Sequence, residues 1–294
     1  MRGSMGWLFG LIVCLELATA LHTEAAELAP APIEREGAPP PRSRAEVQAA
    51  LAGAQPINTS ALKPLEIVLV SGPKDHGPSE HDYPLWRERW TKLLGLAPQV
   101  HVTTADLWPS AEQWKTADGV VIFSANQGWS PERAKQLDAF LARGGGLTLL
   151  HYAVNGGRAP EELAARIGLA WQGGKSKFRH GPLDLTIAGE LKHPIMAGIT
   201  KAAFIDESYW NLLGDASKIT VLASQTEEGQ PQPLIWTYQP GGGRVFVSIL
   251  GHYNWTFDDP LFRLILLRGM AWSMSQPTDR FSDLVFRGAR VIEP

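Results

Sequence analysis

One cysteine, Cys14, occurs in 294 residues, and it lies inside an apolar N-terminal run. Beyond that run the chain therefore holds no disulfide, no thiolate nucleophile and no cysteine metal ligand. No G-x-G-x-x-G follows the first strand-like segment and no P-loop occurs, so neither Gly-rich phosphate cradle is available. No G-x-S-x-G elbow is present either, and Ser124 and Ser248 lack the flanking glycines of a serine nucleophile. Lys and Arg number 27 against 30 Asp and Glu, a net charge of −3, which leaves no basic excess for nucleic acid. No internal repeat is evident. What these absences leave is histidine and carboxylate chemistry.

The N-terminus has the pattern of an export signal. Arg2 precedes the apolar run 7–18, and Ala18-Thr19-Ala20 is a small-x-small cleavage site. The run is too short for a span of about 20 residues. The expectation is an exported protein, periplasmic or secreted, with residues 1–20 removed and no stable membrane span afterwards. Residues 21–64 are rich in Ala, Pro and Glu and read as a mostly disordered linker, with a short helix within 44–54. The main domain is expected over 65–275 and a C-terminal tail over 276–294.

From residue 65 strands and helices alternate. The apolar runs 65–71, 119–125 and 146–153 predict strands covered on both faces, and 99–104 is strand-like. Leu85, Trp86, Trp90, Leu93 and Leu94 make one stripe of a helix over 84–95. Ser130-Pro131 starts a helix that the glycines at 144–146 end. A further helix is read over 159–168. The second half holds strand patterns at 183–189, 219–225, 233–239 and 243–251, and a last helix over 259–274. The pattern predicts an α/β fold: a mostly parallel sheet with helices on both faces and extra antiparallel strands.

In such sheets ligands bind beyond the carboxyl ends of the strands. After 65–71 come Lys74, Asp75, His76, Glu80, His81 and Asp82. Asn126, Gln127 and Trp129 follow the strand 119–125. His151 and Tyr152 end the next, and His252, Tyr253, Asn254 and Trp255 follow the last. Phe178-Arg179-His180 and Asp206-Glu207-Ser208-Tyr209-Trp210 are read as lying between strands. His101 in a strand, His193 before a proline and His22 near the signal stay outside the set. Two chemistries remain open: general acid–base catalysis, or a divalent metal held by His and Asp/Glu. The spacing His76-x4-His81 is not a helical metal pair. The 11 tryptophans add a hint of carbohydrate stacking.

The joint occurrence of GPKDHGPSEHDYP (72–84), GGGLTLLHYA (144–153), FRHG (178–181), HPIMAGI (193–199), FIDESYW (204–210) and PLIWTYQPGGGRVFVSILGH (233–252) resembles the ThuA-like (trehalose utilisation) family, across about 65–275. The resemblance implies a flavodoxin-like fold related to class I glutamine amidotransferases. Where those enzymes carry a nucleophilic cysteine this chain holds His151, so amidotransferase activity is not expected. It further implies a role in carbohydrate metabolism, on a sugar or a keto-glycoside, with a small-molecule carbohydrate as partner. The site it implies is His76, His81, His151, His180, Glu207 and His252. His151, Glu207, His252 and His180 are the candidates for catalysis. Trp129, Tyr152, Tyr209, Trp210, Trp255 and Asn126 are the candidates for holding substrate. A divalent metal such as zinc enters by the same resemblance, on His76, His81, His151 and His252. A non-catalytic carbohydrate-binding domain and a metal-dependent hydrolase are the competing readings.

Overall fold

The computed structural model describes residues 28–126, 128–189 and 192–293. The expected signal, Cys14, His22 and Gln127 lie outside the described residues. Nine strands form the central sheet: β1 Leu65–Ser71, β2 Val100–Asp106, β3 Gly119–Phe123, β4 Gly146–Leu150, β5 Lys177–Ile187, β6 Ala202–Trp210, β7 Thr220–Glu227, β8 Gln230–Tyr238 and β9 Arg244–Ser248. Their order is β2-β1-β3-β4-β9-β8-β7-β5-β6. From β2 to β9 every pairing is parallel. From β9 to β6 every pairing is antiparallel. The sheet is thus mixed, half parallel and half antiparallel, and not mostly parallel as the alternation predicts. The reason is local. Residues 177–185 and 202–210 pair as one antiparallel ladder, yet 202–210 carries Asp206, Glu207 and Ser208 buried. An acidic stretch reads as a turn until its partners are known.

The helices are α1 Arg44–Leu51, α2 Tyr83–Gly95, α3 Ala111–Thr116, α4 Pro131–Ala142, α5 Pro160–Ile167, α6 Asn254–Asp258 and α7 Pro260–Ser273. Asp82, Ser110, Ser130 and Asp259 cap α2, α3, α4 and α7, each accepting a backbone N–H. The α2 helix packs on β1 and β2. Helix α7 is buried nearly all round, as its largely apolar sequence requires, and packs on β9, β4 and β3. The two arginines buried in it are paired, Arg263 with Asp258 at 3.1 Å and Arg268 with Asp279 at 2.9 Å.

The described part of the Pro-rich segment is not a free linker. Helix α1 buries Val47 and Ala50 in the core. Arg42–Ser43 pairs in parallel with Val291–Ile292, so the expected C-terminal tail is fastened as well. A 3₁₀ turn at Thr278–Leu284 buries Phe281 and Leu284. Composition reports what a segment can bury by itself; here the partner surface belongs to the domain, and proline's extended, donor-poor backbone suits a chain lying along it.

Candidate functional site

Three loops leave the carboxyl ends of β1, β4 and β9, and each delivers one histidine to the same point. The loop 72–82 carries His81, His151 follows Leu150 directly, and 249–253 carries His252. The backbone is bent hard to do so. His81 has φ 41° and His151 φ 55°, with Ser79 at 60° and Asn126 at 49° nearby. Such left-handed residues cost about 1–3 kcal/mol each and persist where their surroundings over-determine them.

Here the surroundings do. The His81 N–H donates to the His252 carbonyl at 2.9 Å, and the Asn254 N–H to the Ser79 carbonyl at 2.9 Å, so the first and third loops are zipped together. Asp206 on β6 clasps the third loop. Its carboxylate accepts from the N–H groups of Glu207 (2.7 Å), His252 (3.0 Å) and Gly251 (3.1 Å), and from the Thr256 hydroxyl. Burial pushes the Asp206 carboxyl up, against the opposing pull of His151 and these donors. Gly251 sits at φ 131°, where a Cβ would stand 2.9 Å from the Phe257 ring and 3.4 Å from the His151 Cβ. Only glycine lets the two loops close this far.

At the centre, His81 Nε2 lies 2.8 Å from His151 Nε2 and 3.0 Å from His252 Nδ1, which is 3.4 Å from His151 Nε2. The Glu207 Oε2 joins them, 3.1 Å from His151 Nε2 and 3.2 Å from His252 Nδ1. All four residues are buried. The outer nitrogen of each ring faces its own partner. His151 Nδ1 donates to the Ile249 carbonyl at 2.7 Å. His81 Nδ1 faces the Asp75 carboxylate at 2.8 Å and the Tyr83 hydroxyl at 2.9 Å. His252 Nε2 lies 3.3 Å from Glu80 Oε1. A carbonyl or carboxylate partner places the ring proton on the outer nitrogen and the lone pair on the inner one. Three lone pairs and a carboxylate oxygen therefore face one point, an N₃O donor set of the kind that binds zinc.

The charges agree with that assignment at His81 and pull against it at His252, whose inner nitrogen Glu207 also draws toward a proton. Burial, followed by the charges His151, His252 and His76 would carry, holds His81 far below the ordinary histidine range, so it is a neutral donor. Burial opposes the Glu207 charge, but the hydrogen bonds from His151 and His252 outweigh it and hold the carboxyl well below its usual range. Burial also lowers His252, and Glu207 overrides it, for a net rise. Burial first, then nearby carboxylates, push the Tyr83 and Tyr209 hydroxyls up, so both stay protonated.

Above this centre opens a cavity of about 270 Å³, lined by His76, His81, Tyr152, Trp171, Phe178, His180, Glu207 and Tyr209. The β5–β6 register sets Phe178 opposite Tyr209 and His180 opposite Glu207. His180 Nε2 is 3.1 Å from Glu207 Oε1. His180 and His76 are half-exposed at the rim, and the His76 ring lies tilted against His81 with centroids 3.7 Å apart. The Tyr209 hydroxyl is 3.1 Å from His151 Nε2.

Of the residues read from sequence, His81, His151, His252 and Glu207 meet at the centre, and His76, His180, Tyr152 and Tyr209 line the cavity. The other four stand apart from its lining. Asn126 is buried and donates to the Asn155 carbonyl at 2.9 Å, pinning two loops. Trp129 packs edge-on to Trp108, and Trp210 is buried at the end of β6. Trp255 stacks on Tyr253 at 4.1 Å and donates to the Ile205 carbonyl. The reading from sequence left Trp171, Phe178, Asp75, Glu80 and Asp206 without roles. The alternation Phe178-x-His180 was a usable signal for one face of a strand; Trp171 carried none.

The ThuA family model, described as trehalose utilisation, matches residues 75–273. Among solved structures, a protein described as ThuA-like from Parabacteroides merdae superposes at a TM-score of 0.59 with 19% identity, covering 73% of this chain and 92% of that one. A second, from Bacteroides uniformis, gives 0.58 at 14% identity over 76% and 99%. The β-galactosidase of Bacillus circulans sp. alkalophilus gives 0.50 at 11% identity, over 71% of this chain but 31% of the enzyme. At these identities the likeness is one of fold. No curated protein matches the chain. With a family model spanning both the strand-end loops and the β5–β6 hairpin, the chain belongs to the ThuA family.

Proposed function

We propose that this chain is an enzyme acting on a sugar or keto-glycoside by His/Glu acid–base chemistry with the help of a divalent metal such as zinc. The observation that carries the reading is the convergence of three buried imidazoles, each with a carboxylate or carbonyl oxygen facing its outer nitrogen, with Glu207 on the floor of an aromatic-walled cavity. His81 and His151 through Nε2, His252 through Nδ1, and Glu207 through Oε2 would hold the ion. A divalent ion so held polarises a carbonyl or hydroxyl oxygen.

The chain's own groups do the rest. Tyr152, Trp171, Phe178 and Tyr209 offer ring faces to the C–H face of a sugar and keep water from it. Glu207 Oε1 accepts from His180 Nε2, which leaves Nδ1 of His180 as the base at the rim. On a 3-keto-glycoside the carbon beside the carbonyl is acidic. His180 takes that proton, the C–H electron pair becomes the C=C bond of the enolate, and the carbonyl π pair moves onto its oxygen. As the carbonyl re-forms, the glycosidic oxygen on the next carbon leaves and takes the proton back from His180. The net reaction is an elimination, and no oxidant or water is consumed.

Elemental mass spectrometry of the purified protein, with turnover of a 3-keto-glucoside before and after chelation, tests this. Stoichiometric metal and chelator-sensitive elimination are expected. Tight binding of the keto-sugar without conversion and without metal would leave a carbohydrate-binding domain instead. Metal-dependent cleavage of unmodified glycosides alone would make the chain a hydrolase.

A further inference from the structure

The family match begins at residue 75, yet the segment 28–43 lies against the loop that carries His81. Its Ala31 N–H donates to the buried Asp258 carboxylate at 2.7 Å. The Glu34 N–H donates to the Ser79 hydroxyl at 3.0 Å. Arg42 grips Asp259 in a two-pronged pair at 2.8 Å, and Arg290 holds the Pro39 carbonyl at 2.7 Å. Between these fixings Arg35 pairs with Glu80 and lies over the Tyr253 ring, 5.5 Å from its centroid.

Glu80 is the outer partner of His252. Its Oε1, the oxygen Arg35 engages, is 3.3 Å from His252 Nε2. That nitrogen is buried and has no aligned hydrogen bond among the described residues. The Glu80 carboxylate is therefore what draws the ring proton to Nε2. On the inner side Glu207 Oε2 stands 3.2 Å from Nδ1 and draws the proton the other way. The two carboxylates compete for the tautomer, and only the Nε2–H form turns a lone pair toward His81 and His151. His81 faces no such contest, since its inner nitrogen meets only imidazoles, and His151, which also meets Glu207, has its outer proton held by the Ile249 carbonyl at 2.7 Å.

We propose that the strap 28–43 is a working part of the site and that Arg35 is a positioning residue: it fixes Glu80 against His252 Nε2 and so presents His252 Nδ1 to the centre. The inference rests on the metal reading above for its purpose, but the tautomer it predicts does not depend on a metal. Carboxylate–histidine partners of this kind are worth 10–100-fold in metal affinity.

The test compares wild type, Arg35→Ala, Arg35→Lys and Glu80→Gln in two measurements. Long-range proton–nitrogen spectra of the histidine rings, on chelated protein above the ordinary histidine range, read the His252 tautomer. Cobalt(II) titration, followed by its visible absorption, reads affinity. Wild type is expected to carry the proton on Nε2. Arg35→Ala and Glu80→Gln are expected to shift it wholly or partly to Nδ1 and to weaken cobalt binding by roughly 10–100-fold, with Arg35→Lys restoring most of both. An unchanged tautomer together with unchanged cobalt affinity in Arg35→Ala overturns the proposal. If Arg35→Ala does not fold, Glu80→Gln is decisive in the same way. Should wild type bind no cobalt, the metal reading fails while the tautomer still decides the role of Arg35.

Discussion

The two halves of the sheet supply the site by opposite means. The parallel half contributes His81, His151 and His252 from loops beyond the strand ends, in backbone that is strained and held by zips and a clasp. The antiparallel half contributes Glu207, Tyr209 and His180 from within strands, where the ladder places them without help. Loop-borne groups from three separate strands can be gathered at one point because loops can be bent; strand-borne groups meet the partner their register sets opposite, as His180 meets Glu207 at 3.1 Å. A site that needs three donors at one point and a wall beside it draws on both.

The largest expected break in this comparison comes from the loop side. His151→Ala removes one donor from the centre, and turnover of a keto-glycoside is expected to fall on the order of 10³-fold, with loss of stoichiometric metal. Retention of metal and of more than a tenth of the activity would show that the centre is not where the chemistry happens. Next in size is metal removal. An ion present at about 100 times its dissociation constant stabilises by about 2.7 kcal/mol, so chelation should lower the melting temperature by roughly 5–10 °C for a domain of this size. An unchanged melting curve would mean that the loops are held by their own hydrogen bonds alone.

Two neighbours on β6 sharpen the contrast. Asp206 faces the third loop and Glu207 the cavity, because successive strand residues alternate. Asp206→Asn turns an acceptor of four donors into a group that must present two N–H bonds of its own. About 1–3 kcal/mol of stability should go, read by denaturant unfolding. Glu207→Gln is expected to cost much less stability and much more activity. If both variants lose the same property, the division of labour along the strand is wrong. On the wall, Phe178→Ala should raise KM for a glycoside by roughly 2–10-fold with kcat little changed, the worth of about 0.5–1.5 kcal/mol of ring stacking. An unchanged KM would remove Phe178 from the binding surface.

The parallel half was legible in the sequence because its strands are continuous apolar runs and its functional residues come just after them. The positions of His81, His151 and His252 followed from that rule alone. Of the antiparallel half, 183–189, 219–225 and 233–239 read as strands, but β6 did not, since it buries Asp206, Glu207 and Ser208 and so hides its strand character behind polar residues. Nor could composition reveal that the Pro-rich segment docks, because proline content speaks to what a segment lacks and not to the surface it meets. Trp129, Trp210 and Trp255 show the limit of the aromatic argument: a tryptophan near a strand end serves core or loop packing as readily as a ligand.

The smallest effect concerns a histidine in neither half of the site. His193 caps a 3₁₀ turn, with the Ile195 N–H donating to its Nδ1 at 3.3 Å, and its ring sits 5.4 Å from that of Trp272, over which Arg244 lies. Burial, and after it the charge of Arg244, lower its pKa. In the folded protein the ring resists protonation, while the unfolded chain takes the proton near the ordinary value of about 6.5. More protons bound by the unfolded state means stability that is present above that value and is lost as pH falls below it. His193→Gln, which cannot titrate, should flatten this slope without touching metal content or turnover. NMR titration placing His193 at the ordinary value would remove the slope, and placing it above would reverse the sign. A change in metal content in the same variant would link it to the centre, which its position beside Trp272 and Arg244 gives no reason to expect.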